Sequence, residues 1–260
     1  MCPEHGEGRS PQRKKKAEKI RLDVLVMERG LAPSRERARA MLLARQILVN
    51  GAAITKAGAL VPADSKIEIA GTPLRYASRG GLKLEGALED FGVSPEGRVS
   101  LDIGSSNGGF TDCLLQHGAA RIYAVDVTID QIDWKLRQDS RVVLIEKNAR
   151  YLKPEDIAEA AELIVVDISF ISVAKVLPAL VPLSAAGADF LILIKPQFEL
   201  EKSSIGKGGI VRNPALHEKA IRQVEEASTA AGLQNIATKP SRITGAGGNQ
   251  EFFLHARRRG

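Results

Sequence analysis

From Val99 onward the chain carries five short, almost uninterrupted apolar runs: Val99–Asp102, Arg121–Asp126, Arg141–Ile145, Leu163–Asp167 and Phe190–Lys195. Runs of this length that are apolar throughout, rather than at every second residue, predict strands covered on both faces. Helix-length stretches separate them, which is the pattern of a doubly wound, mostly parallel α/β sheet. Four of the runs finish on a charged residue: Asp102, Asp126, Asp167 and Lys195. In open parallel sheets ligands bind beyond the carboxyl ends of the strands. One such ending is commonplace, because turns favour Asp; four together point to a site.

Charge divides the chain differently. Residues 1–75 hold 15 Lys and Arg against 8 Asp and Glu, whereas the remainder holds 22 against 23. A basic section on a near-neutral body suggests a polyanion-binding part joined to a part with another task. A solvated charged face is the plainer alternative. Residues 1–19 read as a disordered basic tail. Leu22, Val24, Leu25, Met27 and Leu31 have helical spacing, and Ser34 is placed to cap a second helix from Arg35 to about Arg45. Ala38, Met41 and Leu42 would face inward there. Ile47–Val49, the turn signal Asn50-Gly51 and Ala52–Ile54 predict a hairpin, and Val61–Ile69 ends in another short strand.

The stretches RLDVLVMERGLAPSRERARAMLLARQILVNG and VPADSKIEI resemble the small RNA-binding module named after ribosomal protein four of the small subunit. The resemblance implies an α+β domain over residues 20–69, with Arg21, Arg35, Arg37, Arg39 and Arg45 as RNA contacts. Guanidinium groups suit this role because they bond phosphate bidentately with little reading of sequence. A linker with Gly71 and Pro73 is expected over 70–77, and a second domain over 78–260.

Several function classes are disfavoured. Cys2 and Cys113 have no metal-ligand spacing, so neither a zinc site nor a disulfide scaffold is expected. The polar N-terminus lacks the apolar stretch of a signal peptide. Pro178, Pro182 and Asp189 interrupt the most apolar window, Val176–Ile194, which reads as helix, loop and buried strand rather than a membrane span. A cytoplasmic protein without metal or membrane partners is the expectation; the oligomeric state is left open.

The first strand runs into Leu101-Asp102-Ile103-Gly104-Ser105-Ser106-Asn107-Gly108-Gly109-Phe110. These glycines match neither the dinucleotide fingerprint nor a phosphate loop. An acidic strand end, a glycine-rich turn and a second acidic strand end at Asp126 remain, with Asp126 placed to bond both hydroxyls of a ribose. The combination resembles the S-adenosylmethionine site of class I methyltransferases. That resemblance implies Asp102, Gly104, Ser105, Asn107, Gly108, Gly109, Phe110 and Asp126 as cofactor-binding residues, with Asn148 near the adenine.

Lys83, Asp167, Lys195 and Glu251 each have an ordinary structural explanation taken singly: a snorkelling lysine, a cap, a strand end, a solvated strand residue. As a set they resemble the Lys-Asp-Lys-Glu tetrad of FtsJ-type ribose 2′-O-methyltransferases. With SRGGLKLEGAL, LDIGSSNGGFTDCLLQHGA, VVDISFIS, LIKPQFE and GKGGIVRN, the chain is similar over residues 20–255 to the TlyA family. These are bacterial enzymes, often labelled hemolysins, that methylate cytidine ribose in ribosomal RNA. The resemblance implies Lys83, Asp167, Lys195 and Glu251 as catalytic residues, S-adenosylmethionine as cofactor, and ribosomal RNA or ribosomal subunits as partner. A lysine accepts a proton only as the neutral amine, which a neighbouring positive charge favours; Lys83 beside Lys195 would supply one. Two other readings compete: an RNA-binding assembly factor with an inactive methyltransferase half, and a membrane-active hemolysin.

Overall fold

The computed structural model describes residues 18–260 apart from 33, 44, 71–74, 202 and 204. It forms two compact units, Met1–Pro73 and Leu74–Gly260. Most of the expected basic tail, residues 1–17, and part of the expected linker lie outside the described residues. Lys19, assigned by sequence to the tail, is in a strand.

The N-terminal unit comprises β1 (Lys19–Arg21), α1 (Leu22–Glu28), α2 (Arg35–Leu43), β2 (Ile47–Val49), β3 (Ala52–Ala53), β4 (Leu60–Pro62) and β5 (Ile67–Ile69). Strand β1 pairs antiparallel with β4, and β2 lies between β3 and β5. Leu22, Leu25, Val26, Ala38, Met41, Leu42, Ile47 and Val49 form its core. Ser34 Oγ accepts the Arg37 N–H at 3.2 Å, which fixes the start of α2 as its residue type predicts. The helix stops at Leu43, before the expected Arg45, which adopts φ +57°. Asn50 and Gly51, at φ +51° and +82°, make the tight turn between β2 and β3. Both positive values match the primed turn that an Asn-Gly pair favours.

The larger unit holds α3 (Gly80–Phe91), β6 (Val99–Ile103), α4 (Gly109–Gln116), β7 (Arg121–Asp126), α5 (Trp134–Gln138), β8 (Val142–Glu146) and β9 (Ala161–Val166). There follow α6 (Leu177–Leu180), β10 (Ser184–Ile194), α7 (Pro196–Glu199), α8 (Pro214–Ala230), β11 (Leu233–Pro240) and β12 (Phe252–Arg258). The sheet order is β11-β12-β10-β9-β6-β7-β8. The five strands expected from sequence are parallel, with ends displaced by a residue or two except at β10, which begins six residues earlier. Strands β11 and β12, antiparallel and not anticipated, complete the sheet.

Side chains alternate between two cores. Leu101, Ile103, Tyr123, Val125, Ile164, Val166, Ile192 and Ile194 pack on one face. Ile122, Ala124, Leu163, Val165, Leu191 and Leu193 pack on the other, with residues of α3, α4 and α5. This two-sided cover explains the continuous apolar runs. Asp189, in the most apolar window, is buried inside β10. His255 Nε2, Arg98 and Arg257 surround its carboxylate at 2.8–3.0 Å. Burial pushes that carboxyl up, but these three partners together hold it well below the usual carboxylate range. After β6 the chain moves outward to β7 and β8, then returns to place β9 on the other side of β6. The strand order therefore reverses between β6 and β9, and a crevice opens there beyond their carboxyl ends.

Candidate active site

The loop leaving β6 lines that crevice. Asp102 is fully buried; Thr111 Oγ1 donates to its Oδ2 at 2.6 Å, and its Oδ1 has no partner among the described residues. Burial pushes the Asp102 carboxyl up to about 7, with the Asp167 and Asp126 carboxylates reinforcing burial and the Thr111 hydrogen bond opposing it. Gly104, at φ +87°, crosses the end of β9 so closely that a Cβ would lie 2.3 Å from the Asp167 carbonyl oxygen. Ser106 N–H donates to Asp126 Oδ2 at 2.9 Å, and Thr128 N–H donates to Oδ1 at 3.4 Å.

Two clefts meet at Gly104, Ser106 and Asp167. One, of about 370 Å³, is lined by Asp126, Val127, Thr128, Asn148 and the segment Asp167–Ile171. The other, of about 280 Å³, is lined by Ser78, Arg79, Lys83, Ser105, Gly109, Phe110, Thr244 and Gly245. Asn148 also caps a short turn, its Oδ1 accepting the Arg150 N–H at 3.1 Å. Phe110 is almost wholly buried and stacks on Phe253 with ring centroids 6.2 Å apart, so its ring is mainly core.

Asn107 and Gly108 line neither cleft. The Asn107 carbonyl accepts the Asp133 N–H at 3.2 Å. Gly108 has φ +87°, and a Cβ there would lie 2.1 Å from Leu136 Cδ1; its glycine serves the packing of α4 on α5.

The four tetrad residues gather as two ion pairs. Lys83, on α3, bonds Glu251 Oε2 at 2.5 Å, and both side chains are largely buried. Glu251 stands just before β12 with Gly245 directly over it: a Cβ on Gly245 would strike Glu251 Oε1. Lys195, at the end of β10, pairs with Asp167 at the end of β9 and donates to Ser169 Oγ at 2.9 Å. Each lysine thus has a carboxylate of its own. Sequence reasoning missed Ser169 and also Phe170, which is 88% exposed at the rim of the larger cleft. Phe170 has φ +70°, and its ring centroid lies 5.3 Å from that of Phe198.

The sequence of residues 76–258 matches the FtsJ-like methyltransferase family, and residues 20–67 match the S4 domain. The chain is 47% identical to a Bacillus subtilis protein, YqxC, whose name puts it among rRNA methyltransferases, over 92% of this chain and 86% of that one. It is 41% identical to the 16S/23S rRNA (cytidine-2′-O)-methyltransferase TlyA of Mycobacterium tuberculosis, over 93% of this chain and 91% of that one. This chain belongs to the TlyA family of FtsJ-like methyltransferases. A solved structure from Streptococcus thermophilus that carries a hemolysin label superposes with a TM-score of 0.73 at 40% identity. The match covers 94% of this chain and 90% of that one.

The S4 domain of this TlyA-family chain holds a second unforeseen feature. Asp23, on α1, is completely buried and accepts hydrogen bonds from Arg21 at 2.9 and 3.0 Å, from Arg39 at 3.2 Å and from Arg35 at 3.3 Å. The Arg21 guanidinium above all, with Arg39 and Arg35, holds the Asp23 carboxyl well below the usual range. Three of the five arginines expected to meet RNA therefore share one internal anchor, while their side chains stay about half exposed. Arg37 and Arg45 have no such partner among the described residues. No group of metal-ligating side chains, and no helix long and apolar enough to cross a membrane, occurs among the described residues.

Proposed function

We propose that this chain transfers methyl from S-adenosylmethionine to a ribose 2′-hydroxyl, of cytidine, in ribosomal RNA, and that it works in the cytoplasm. The observation that carries the reading is the pair of lysine–carboxylate contacts beside the clefts: Asp167, which lines both, holds Lys195, and Lys83, which lines the smaller, is held by Glu251. The larger cleft has the size of a small-molecule site. Its donors and acceptors fit a nucleoside: the Asp126 carboxylate keeps lone pairs free for a ribose diol, and Asn148 stands beyond it for an adenine edge. Gly104 lines both clefts, and its missing side chain lets the loop lie directly against the Asp167 carbonyl. When bound, the cofactor supplies a methyl group on a positively charged sulfur.

The chain's own residues then position the acceptor. Lys195 Nζ, steered by Asp167 and Ser169, receives the proton that the 2′-hydroxyl oxygen releases, and it can do so only as the neutral amine. Lys83, held by Glu251, fixes the acceptor side of the smaller cleft. Displacement at a methyl carbon needs alignment rather than a covalent intermediate, so placement supplies most of the acceleration. The S4 domain adds phosphate contacts through Arg21, Arg35, Arg37, Arg39 and Arg45. A target ribose inside folded RNA is reached by extruding its nucleotide, at about a few kcal/mol.

The test is transfer of labelled methyl to purified ribosomal subunits and to bare ribosomal RNA. Wild type is expected to label ribose and Lys195→Ala to lose the label. Methyl found on a base refutes the acceptor, and label that survives Lys195→Ala refutes the role of that amine. No transfer to any RNA despite cofactor binding points to an absent partner or substrate, and no cofactor binding either favours the assembly-factor reading.

A further inference from the structure

Glu199 is a half-buried acid with no part in the transfer just described. Its Oε2 accepts the Ser172 hydroxyl at 2.6 Å and its Oε1 accepts the Val173 N–H at 3.0 Å. Burial raises its pKa, and these two hydrogen bonds oppose the rise. Ser172 Oγ in turn accepts the Ala174 N–H at 3.2 Å, so that its hydroxyl hydrogen is directed at Glu199.

These contacts belong to a larger match between two segments. Asp167–Val173 leaves β9, and Lys195–Glu199 leaves the neighbouring strand β10. Lys195 meets Asp167 and Ser169, the Phe198 ring meets Phe170, and Glu199 meets Ser172 and Val173. The first two contacts bear on the proposed chemistry, but an exposed aromatic contact and an ion pair at the cleft do not by themselves hold a loop. Phe170 also sits in a left-handed conformation that a bulky residue keeps only where its surroundings enforce it. The two-pronged Glu199 contact, which reaches Ser172 two residues beyond Phe170, ties that side of the loop to α7.

We propose that Glu199 is a positioning residue for methyl transfer: it clamps segment 169–173 to α7 and thereby sets Ser169 and Asp167 against Lys195. The clamp acts through hydrogen-bond geometry, not charge. This inference rests on the transfer reaction proposed above, so its test carries a readout independent of that reaction.

In the full chain, Glu199→Ala is expected to slow single-turnover transfer to ribosomal RNA at least about tenfold, the scale of a small misplacement of reacting groups. S-adenosylhomocysteine affinity is expected to fall less than the rate, because the segment that Glu199 clamps forms only one wall of the cleft proposed for the cofactor. Glu199→Gln keeps the acceptor for Val173 N–H and reverses the other bond, its Nε2–H donating to Ser172 Oγ, and is expected to recover most of the rate. Amide hydrogen exchange over 168–174 should rise in Glu199→Ala and return in Glu199→Gln. A folded Glu199→Ala protein that transfers methyl at the wild-type rate overturns the proposal. So does a Glu199→Gln protein as slow as Glu199→Ala. If wild type transfers no methyl, the reaction assigned to the site fails while exchange still decides the clamp; unchanged exchange over 168–174 refutes it.

Discussion

Replacing Asp102 by Asn tests whether the buried acid behind the glycine loop is held against its own ionisation. Its pKa of about 7 stands far above the ordinary aspartate value of about 3.9 that the unfolded chain retains. Between pH 4 and 7 the folded protein therefore keeps a proton that the unfolded chain has released. Wild-type stability falls as pH rises through that window, by about 1.4 kcal/mol for each pH unit, or roughly 4 kcal/mol in all. Asparagine has the same shape and cannot ionise. It has its own fixed penalty, two N–H groups facing the position where Oδ1 now lacks a partner, but that penalty does not vary with pH. The stability difference, variant minus wild type, should therefore climb by up to about 4 kcal/mol between about pH 4 and pH 8. Trp134, the single tryptophan of the chain, lies on α5 in the same unit and reports denaturant unfolding there. A difference that stays flat across this range would refute the reasoning, showing that Asp102 ionises in the folded state as easily as in the unfolded one.

Gly108→Ala should lower the melting temperature and cost more than about 1 kcal/mol, because it combines a left-handed backbone with a collision against Leu136; an unchanged melt would mean that α5 yields freely. Asp23→Asn removes the common anchor of Arg21, Arg35 and Arg39. It should weaken ribosomal RNA binding about tenfold, the equivalent of one charge-assisted hydrogen bond, while S-adenosylhomocysteine binding, measured by calorimetry, stays constant. Phe170→Ala should reduce methyl transfer to RNA more than cofactor affinity, since an exposed ring at the rim of the larger cleft is suited to stacking on a base; equal losses in both would make the ring a wall of the proposed cofactor cleft.

The parallel half of the sheet was legible because burial on both faces leaves an unmistakable mark: Leu163–Val166 and Phe190–Ile194 have no polar residue to place. Strand β11 left no such mark. It is an edge strand, and LQNIATKP mixes exposed and buried positions without strict alternation. The tetrad could be picked out by its resemblance to a family, yet its division into Lys83–Glu251 and Lys195–Asp167 pairs depends on which strand ends are neighbours, and composition does not carry that. Asp23 was overlooked because an acid in an amphipathic helix is ordinarily solvated. Only the convergence of arginines from β1 and α2 makes its burial tolerable. The resemblance that places Asn107 and Gly108 among the cofactor residues does not carry their packing: the Asn107 carbonyl accepts the Asp133 N–H and Gly108 lies against Leu136.

The position of β12 bears on how the enzyme is assembled. Strand β11 precedes it in the chain, yet β12 lies between β11 and β10. Until β12 docks, β11 has no partner and β10 is an open edge, with Phe190–Ile194 presenting unpaired backbone groups along an apolar ribbon. Such an edge is a template for pairing with another chain. Docking closes it and delivers Glu251 to Lys83 in the same event. A partly folded chain is therefore both sticky and without its Lys83–Glu251 pair, and one strand insertion cures both defects.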